Sequence, residues 1–159
     1  MSLAEHSRSL VAYTVWANDK VLHATSRLST EEFVEVRDNL THLLGTQQFW
    51  YARWTGEAYQ DHAYETFAQL HAAYQESHRE LTSIAAALTD ESWQRREAWW
   101  TEFGYQHELE IGKTVTQVVT HGIQHRSEVA VVISAAGQSP GDLDYLNFLM
   151  HEAGIHLDD

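Results

Sequence analysis

Only one proline interrupts this chain, Pro140, and it lies close to the C-terminus. Proline removes a backbone donor and breaks helix interiors. Residues 1–139 therefore carry no obligatory breaker, and long helices are free to form. Ala, Leu, Glu and Gln, all good helix formers, are plentiful. With 43% hydrophobic residues over 159 positions, one domain spanning 1–159 can bury a core without cross-links.

The apolar spacing divides the chain into segments. Leu10, Tyr13, Thr14, Ala17, Val21, Ala24 and Leu28 form one stripe and predict a helix over residues 3–28. Ser29 with Glu32 reads as a capping box that opens one short turn before Val36. A second helix is expected from Asn39 to Gly56. Leu40, Leu43, Leu44, Gln47, Trp50, Tyr51 and Trp54 give it a wide face, and His42, Gly45, Phe49 and Ala52 a narrow one. Thr66 with Gln69 opens a third helix to about residue 88, with His71, Glu76, His78 and Arg79 facing outward. Asp90 is expected to cap one turn around Trp93.

Residues 95–111 mix aromatics with partial alternation about Gly104, as in a two-stranded hairpin or an extended loop. A fourth long helix is expected from Thr114, boxed with Gln117, through Ile133, with Gly137 as its C′ residue. Its many valines would suit a strand, but a strand of that length would be exceptional, so helix is the reading. Ser139 to Asp142 reads as a turn, and Leu143 to Glu152 as a short last helix. The sum is an all-α chain, an antiparallel four-helix bundle with a short hairpin or extended excursion between helices three and four. That longer connection leaves room for a crossover.

Charge and composition remove several function classes. Ten basic against 23 acidic residues give a net charge of −13, which repels a phosphate backbone. Nucleic acid is not an expected partner. Cysteine is absent, so any metal must be held by nitrogen and oxygen. No run approaches the ~18 apolar residues of a membrane span, and the first ten residues lack an apolar signal core. A cytoplasmic location without membrane association is the expectation. There is no Gly-x-Ser-x-Gly elbow and no glycine-rich phosphate loop.

Histidine is the remaining chemistry. His121 and His125 are four residues apart, so both imidazoles project from one helix face a turn apart and can reach one ion. Counting tempers this, because 11 histidines in 159 residues yield about 0.7 such pairs by chance. A setting on a buried, valine-rich helix gives the pair more weight, since buried imidazoles need partners. The alternative is a hydrogen-bonded structural pair. A third ligand does not follow from spacing: His42 sits on a narrow apolar helix face, and His107 and His151 are its rivals. His6, His23, His62, His71, His78 and His156 stand in more polar contexts. Residue 122 is Gly, so the pair lacks the glutamate of a His-Glu-x-x-His metalloprotease. Glu128 is a candidate acceptor or base, although a surface pair with Arg126 is the plainer reading. Trp16, Trp50 and Trp54 are pocket candidates, with core packing as the plainer alternative.

The order of motifs adds a further reading. Trp16-Ala-Asn18 in the first helix, Thr41-His42-Leu-Leu44 in the second, and His121-Gly-Ile-Gln-His125-Arg126 before Gly137 in the fourth resemble the DinB/YfiT-like family. The resemblance runs over nearly the whole chain. It implies a metal-binding four-helix bundle whose ligands fall on His42, His121 and His125. It implies one divalent ion, Zn or Ni, and a small-molecule substrate, with a low-molecular-weight thiol as cosubstrate. Thiol S-transferases and a mycothiol-dependent maleylpyruvate isomerase belong to that family, as do proteins described as metal-dependent hydrolases. The expected activity is a thiol-dependent transferase or isomerase. The alternatives are hydrolysis of a small ester or amide, and a non-catalytic metal-binding stress-response protein. Relatives also suggest a homodimer.

Overall fold

The computed structural model describes residues 2–100, 104 and 106–155, the side chains of residues 99 and 100 excepted. In chain order the elements are α1 (Leu3–Thr25), α2 (Thr30–Thr55), α3 (Phe67–Ala87), the short α4 (Asp90–Gln94), β1 (Arg96–Trp100), β2 (Gln106–Glu110), α5 (Ile111–Ala135) and α6 (Tyr145–Glu152). The all-α bundle is borne out, and so is the hairpin. β1 and β2 pair antiparallel, from Arg96 opposite Glu110 to Trp100 opposite Gln106. Residues 101–103 and 105 of the expected hairpin lie outside the described residues.

Helix starts follow from side chains that take up orphaned amides. Ser2 with Glu5, Ser29 with Glu32, Thr66 with Gln69 and Thr89 with Ser92 form reciprocal capping boxes. The Ser29 box opens the whole of α2, not a separate turn, because nothing between Val36 and Asn39 breaks the helix. Thr89, not Asp90, caps α4. The expected box at Thr114 is absent: α5 begins three residues earlier, after Glu110, which makes no side-chain cap bond. The Thr114 hydroxyl instead donates to the Ile111 carbonyl at 2.8 Å and accepts from Trp54 Nε1 at 2.8 Å. At the other end Gly137 has a φ of 78°, the left-handed conformation expected after a helix C-terminus.

Contacts give the direction of each long helix. Asn39 bonds Glu128, and Trp54 bonds Thr114, so α2 and α5 are antiparallel. Arg8 donates to the carbonyls of Ala85 and Leu88 while Asp19 meets Gln75 and His78, so α1 and α3 are antiparallel too. The Tyr74 hydroxyl donates to the Leu40 carbonyl and Glu65 pairs with Arg37, so α3 starts where α2 starts. α1 and α5 therefore run one way, and α2 and α3 the other. The crossover is thus the irregular 56–66 segment between α2 and α3, rather than the third-to-fourth connection. It must return from Thr55 to the level of Arg37, about 27 Å of helix, and eleven extended residues reach about 35 Å.

The core has two apolar clusters. One holds Val21, Leu40, Leu44, Leu70, Tyr74, Val129 and Ile133; the other holds Val11, Trp50, Trp54, Leu81, Trp93, Ile111 and Val118. Between them lies a polar layer with one side chain from each long helix. The Asn18 amide nitrogen donates to Gln47 Oε1 at 3.3 Å and lies 3.2 Å from His78 Nε2. Its oxygen accepts from Arg126 at 3.0 Å. His78 Nδ1 in turn is 3.3 Å from Asp19, whose carboxyl this contact holds below the usual range. His78 was expected to face outward, yet it is 5% exposed, because it shares the stripe of Tyr74, Leu81 and Ala85.

Arg126 was expected on the surface beside Glu128, but it is only 1% exposed. It lies on the buried stripe of Val118, Gly122, Val129 and Ile133. Its guanidinium folds back over Gly122, where a Cβ would come 2.7 Å from Nη1, and stands 5.3 Å from the Tyr13 ring. Leaving a buried charged group without its hydrogen-bond partner costs about 3 kcal/mol or more. Asn18→Leu should therefore lower unfolding stability by roughly 3 kcal/mol, read from urea midpoints. A loss below about 0.5 kcal/mol would show that the polar layer does not hold the bundle.

Candidate metal centre

The antiparallel register of α2 and α5 decides which histidines meet. With Asn39 opposite Glu128 and Trp54 opposite Thr114, residue 42 falls opposite residue 125, one turn from residue 121. His42 Nε2 lies 3.1 Å from His121 Nε2. The ring centroids are 5.0 Å apart for His42 and His121, 4.8 Å for His42 and His125, and 4.3 Å for His121 and His125. One nitrogen from each ring lies within 4.8 Å of the others. Tetrahedral bonds of ~2.05 Å set nitrogens ~3.3 Å apart. The His42–His121 separation is already that of a coordination edge, so the three rings could hold one ion.

The setting differs from the one expected. His42 is exposed, and His121 and His125 are half-buried. The buried stripe of α5 passes through Gly122 and Arg126, one residue after each histidine, and a one-residue step turns a helix by about 100°. The imidazoles therefore flank the core and face a groove. Residue 122 points into the core and away from the histidines, so a glutamate there would not have reached them.

The groove tunes the rings. Burial first, then His125 and His42, pushes the His121 pKa down to about 4, so its imidazole is neutral and ligand-competent at pH 7. His125 Nδ1 lies 2.8 Å from Glu128 Oε2. The Glu128 carboxylate also accepts from Asn39 at 2.9 Å and from Gln124 at 3.2 Å, bonds that hold its pKa below the usual range. An ionised carboxylate on Nδ1 keeps the proton there and turns Nε2 toward an ion, the outer support typical of metal-ligating histidine. The expected Glu128–Arg126 pair does not form, because Arg126 is buried on the other side of the helix. The Glu128 alternative, an acceptor behind an imidazole of the cluster, is the arrangement present.

A cavity of about 930 Å³ opens from the histidines along the α2–α5 groove. His42 and His121 stand at one end. Thr46, Gln117 and the crossover residues Tyr59, Asp61 and His62 line its middle, and Phe49, Trp50, Leu109 and Lys113 its far end. The Tyr59 ring stands edge-on to Phe49 at 5.4 Å, and its hydroxyl donates to Asp61 at 2.7 Å.

The other expectations sort by position. Trp50 lines this cavity. Trp16 does not: it packs on Phe148 at 5.8 Å, under Lys20, and lines a separate pocket with His23 and His151. Trp54 is core, 5% exposed. His107 on β2 and His151 on α6 stand apart from the three-histidine cluster. His156 lies outside the described residues. Sequence reasoning missed Asn39, Gln117 and Lys113. The last two were legible as the helical steps 113, 117, 121 and 125.

A family model described as the DinB family matches residues 1–155. No curated protein matches the chain.

Two outcomes test the site. Glu128→Gln should weaken Zn²⁺ affinity about 10- to 100-fold with the fold intact, read by competition with a chromophoric chelator. The second concerns pH. Because the folded His121 pKa lies below its unfolded 6.5, the unfolded chain takes up the proton first. Metal-free protein should therefore lose stability as pH falls from 6.5 toward about 4, and His121→Gln should flatten that part of the profile.

Proposed function

The chain belongs to the DinB family, and from that premise we propose that His42, His121 and His125 hold one divalent ion, Zn or Ni, at which a low-molecular-weight thiol is activated for transfer or isomerisation. The observation that carries this reading is a three-imidazole cluster opening onto the 930 Å³ cavity. Three protein ligands leave a position open for substrate. When bound, the ion supplies Lewis acidity that lowers the pKa of a thiol or water in that position.

The chain's own residues favour a thiol over water. A free thiol has a pKa of about 8.5 and needs little help to ionise, whereas water starts from about 15.7 and depends on the ion for nearly the whole of its shift. The two carboxylates lining the cavity are already engaged: Asp38 pairs with Arg37, and Asp61 accepts from Tyr59. Glu128 is committed to His125, Asn39 and Gln124. Each carboxylate among the described lining residues thus has a partner, with Asp38 in an exposed pair that holds it only weakly. Phe49, Trp50 and Leu109 give the far end apolar walls, against which the electrophile would pack. Hydrolysis and a non-catalytic, metal-binding role in a stress response are the readings this one displaces.

The wider reading is of one domain over residues 1–159, acting in the cytoplasm as a homodimer. Ile123 and Val131 on α5, with Leu146 and Leu149 on α6, are exposed apolar side chains that a second copy would cover.

Elemental analysis should find one equivalent of metal in the purified protein and far less in His42→Ala and His121→Ala. Adding a small thiol to the Co²⁺-substituted protein should produce a sulfur-to-metal charge-transfer band. A stoichiometric metal with no band for any bacterial thiol would sink the thiol reading, and chelator-sensitive ester turnover would replace it with hydrolysis.

A further inference from the structure

Four side chains follow one another along the face of α5 that borders the cavity: Lys113, Gln117, His121 and His125, each one turn from the next. The first three line the cavity itself. We propose that the end of the cavity opposite the histidines is a subsite for a carboxylate, with Lys113 as its cation. The site would then take an elongated molecule with a metal-binding head, an apolar middle and an anionic tail. This rests on the ion proposed at the three histidines.

Three features support the assignment. The first is the distribution of charge. Asp38 stands at the histidine end, paired with Arg37, and Asp61 in the middle accepts from Tyr59. Lys113 is the only lysine or arginine among the described residues that line the cavity. The two ends of the cavity therefore differ in kind.

The second is the company Lys113 keeps. Phe49, Trp50 and Leu109 line the same end. A ligand seated against these walls would cover part of the exposed Lys113 side chain, and a charge pair formed beneath it would be stronger than one in open water. The present partner of Lys113 is Glu110, at 3.2 Å, with side chains 69% and 37% exposed. Such an exposed pair is weak and easily exchanged for a ligand carboxylate.

The third is the place of Lys113 in its helix. It stands in the first turn of α5, where the helix dipole disfavours a cation. Helix stability alone gives little reason for a lysine there, whereas an anion bound beside it would meet both the ammonium and the favourable end of the dipole. Lys113 and His121 are eight residues apart, about 12 Å along the axis. That length selects extended molecules over compact ones.

The test uses Zn²⁺-loaded protein and ω-carboxyalkyl hydroxamates, whose heads bind an open metal position whatever reaction the protein performs. Calorimetry compares each acid with its methyl ester. The acid should bind about tenfold more tightly, as expected for a charge-assisted contact. The advantage should peak for chains that span about 12 Å. Lys113→Met should bring acid affinity down to that of the ester, Lys113→Arg should retain the difference, and Glu110→Gln should increase it. Acid and ester binding alike to the wild type, or a preference that survives Lys113→Met, would overturn the subsite alone. Bound zinc with no hydroxamate binding in either form overturns the subsite and leaves the metal site standing. A protein that takes up no zinc overturns the metal reading, and this one with it.

Discussion

One amide ties the four long helices together. Asn18 on α1 reaches Gln47 on α2, His78 on α3 and Arg126 on α5, between two apolar clusters. Hydrophobic burial is non-directional and would tolerate many rotations of a helix about its axis. Hydrogen bonds to a buried guanidinium tolerate few, because the cost of leaving a buried charge unpaired is several kcal/mol. Arg126 directly follows His125. Fixing Arg126 inward therefore fixes which way His121 and His125 turn, and the core sets the site on the flank of α5, about 100° away.

The topology makes the cavity by a similar economy. α2 and α3 run in the same direction, so the chain must travel back along the bundle between them. Eleven residues can do so only if extended, which leaves no length for a helix of their own. The segment that results carries Tyr59, Asp61 and His62 past the α2–α5 groove. A groove between two helices becomes a cavity because a connection has nowhere else to run. The same α2–α5 pairing sets His42 against His121 and Asn39 against Glu128, so the imidazole cluster and its carboxylate support come from one helix register.

What could be read from the sequence was what is local. Helix spacing located the long helices and the Thr66 box the start of α3, because capping chemistry acts within three residues, whereas the Ser29 box was recognised but given to a separate turn. The His121–His125 pair was legible for the same reason. His42 was not: its meeting with His121 spans 79 residues, and only the resemblance to a family selected it. The errors share one cause. His78 and Arg126 were given to the surface because they are polar, although each lies on the apolar stripe of its own helix. Their partners are on other helices, so burial offset by hydrogen bonds could not be seen from either segment alone. The crossover was misplaced because helix direction depends on which helices pair, and spacing does not report pairing.

The account stands on a single ion held by imidazoles from α2 and α5 in a site with room for another ligand. X-ray absorption of the Zn²⁺-loaded protein measures this directly. The account predicts three imidazole nitrogens at about 2.0–2.1 Å and one light exchangeable ligand, with an imidazole lost in His42→Ala and in His125→Ala. A shell made mainly of carboxylate oxygens, or a spectrum unchanged in both variants, would contradict it.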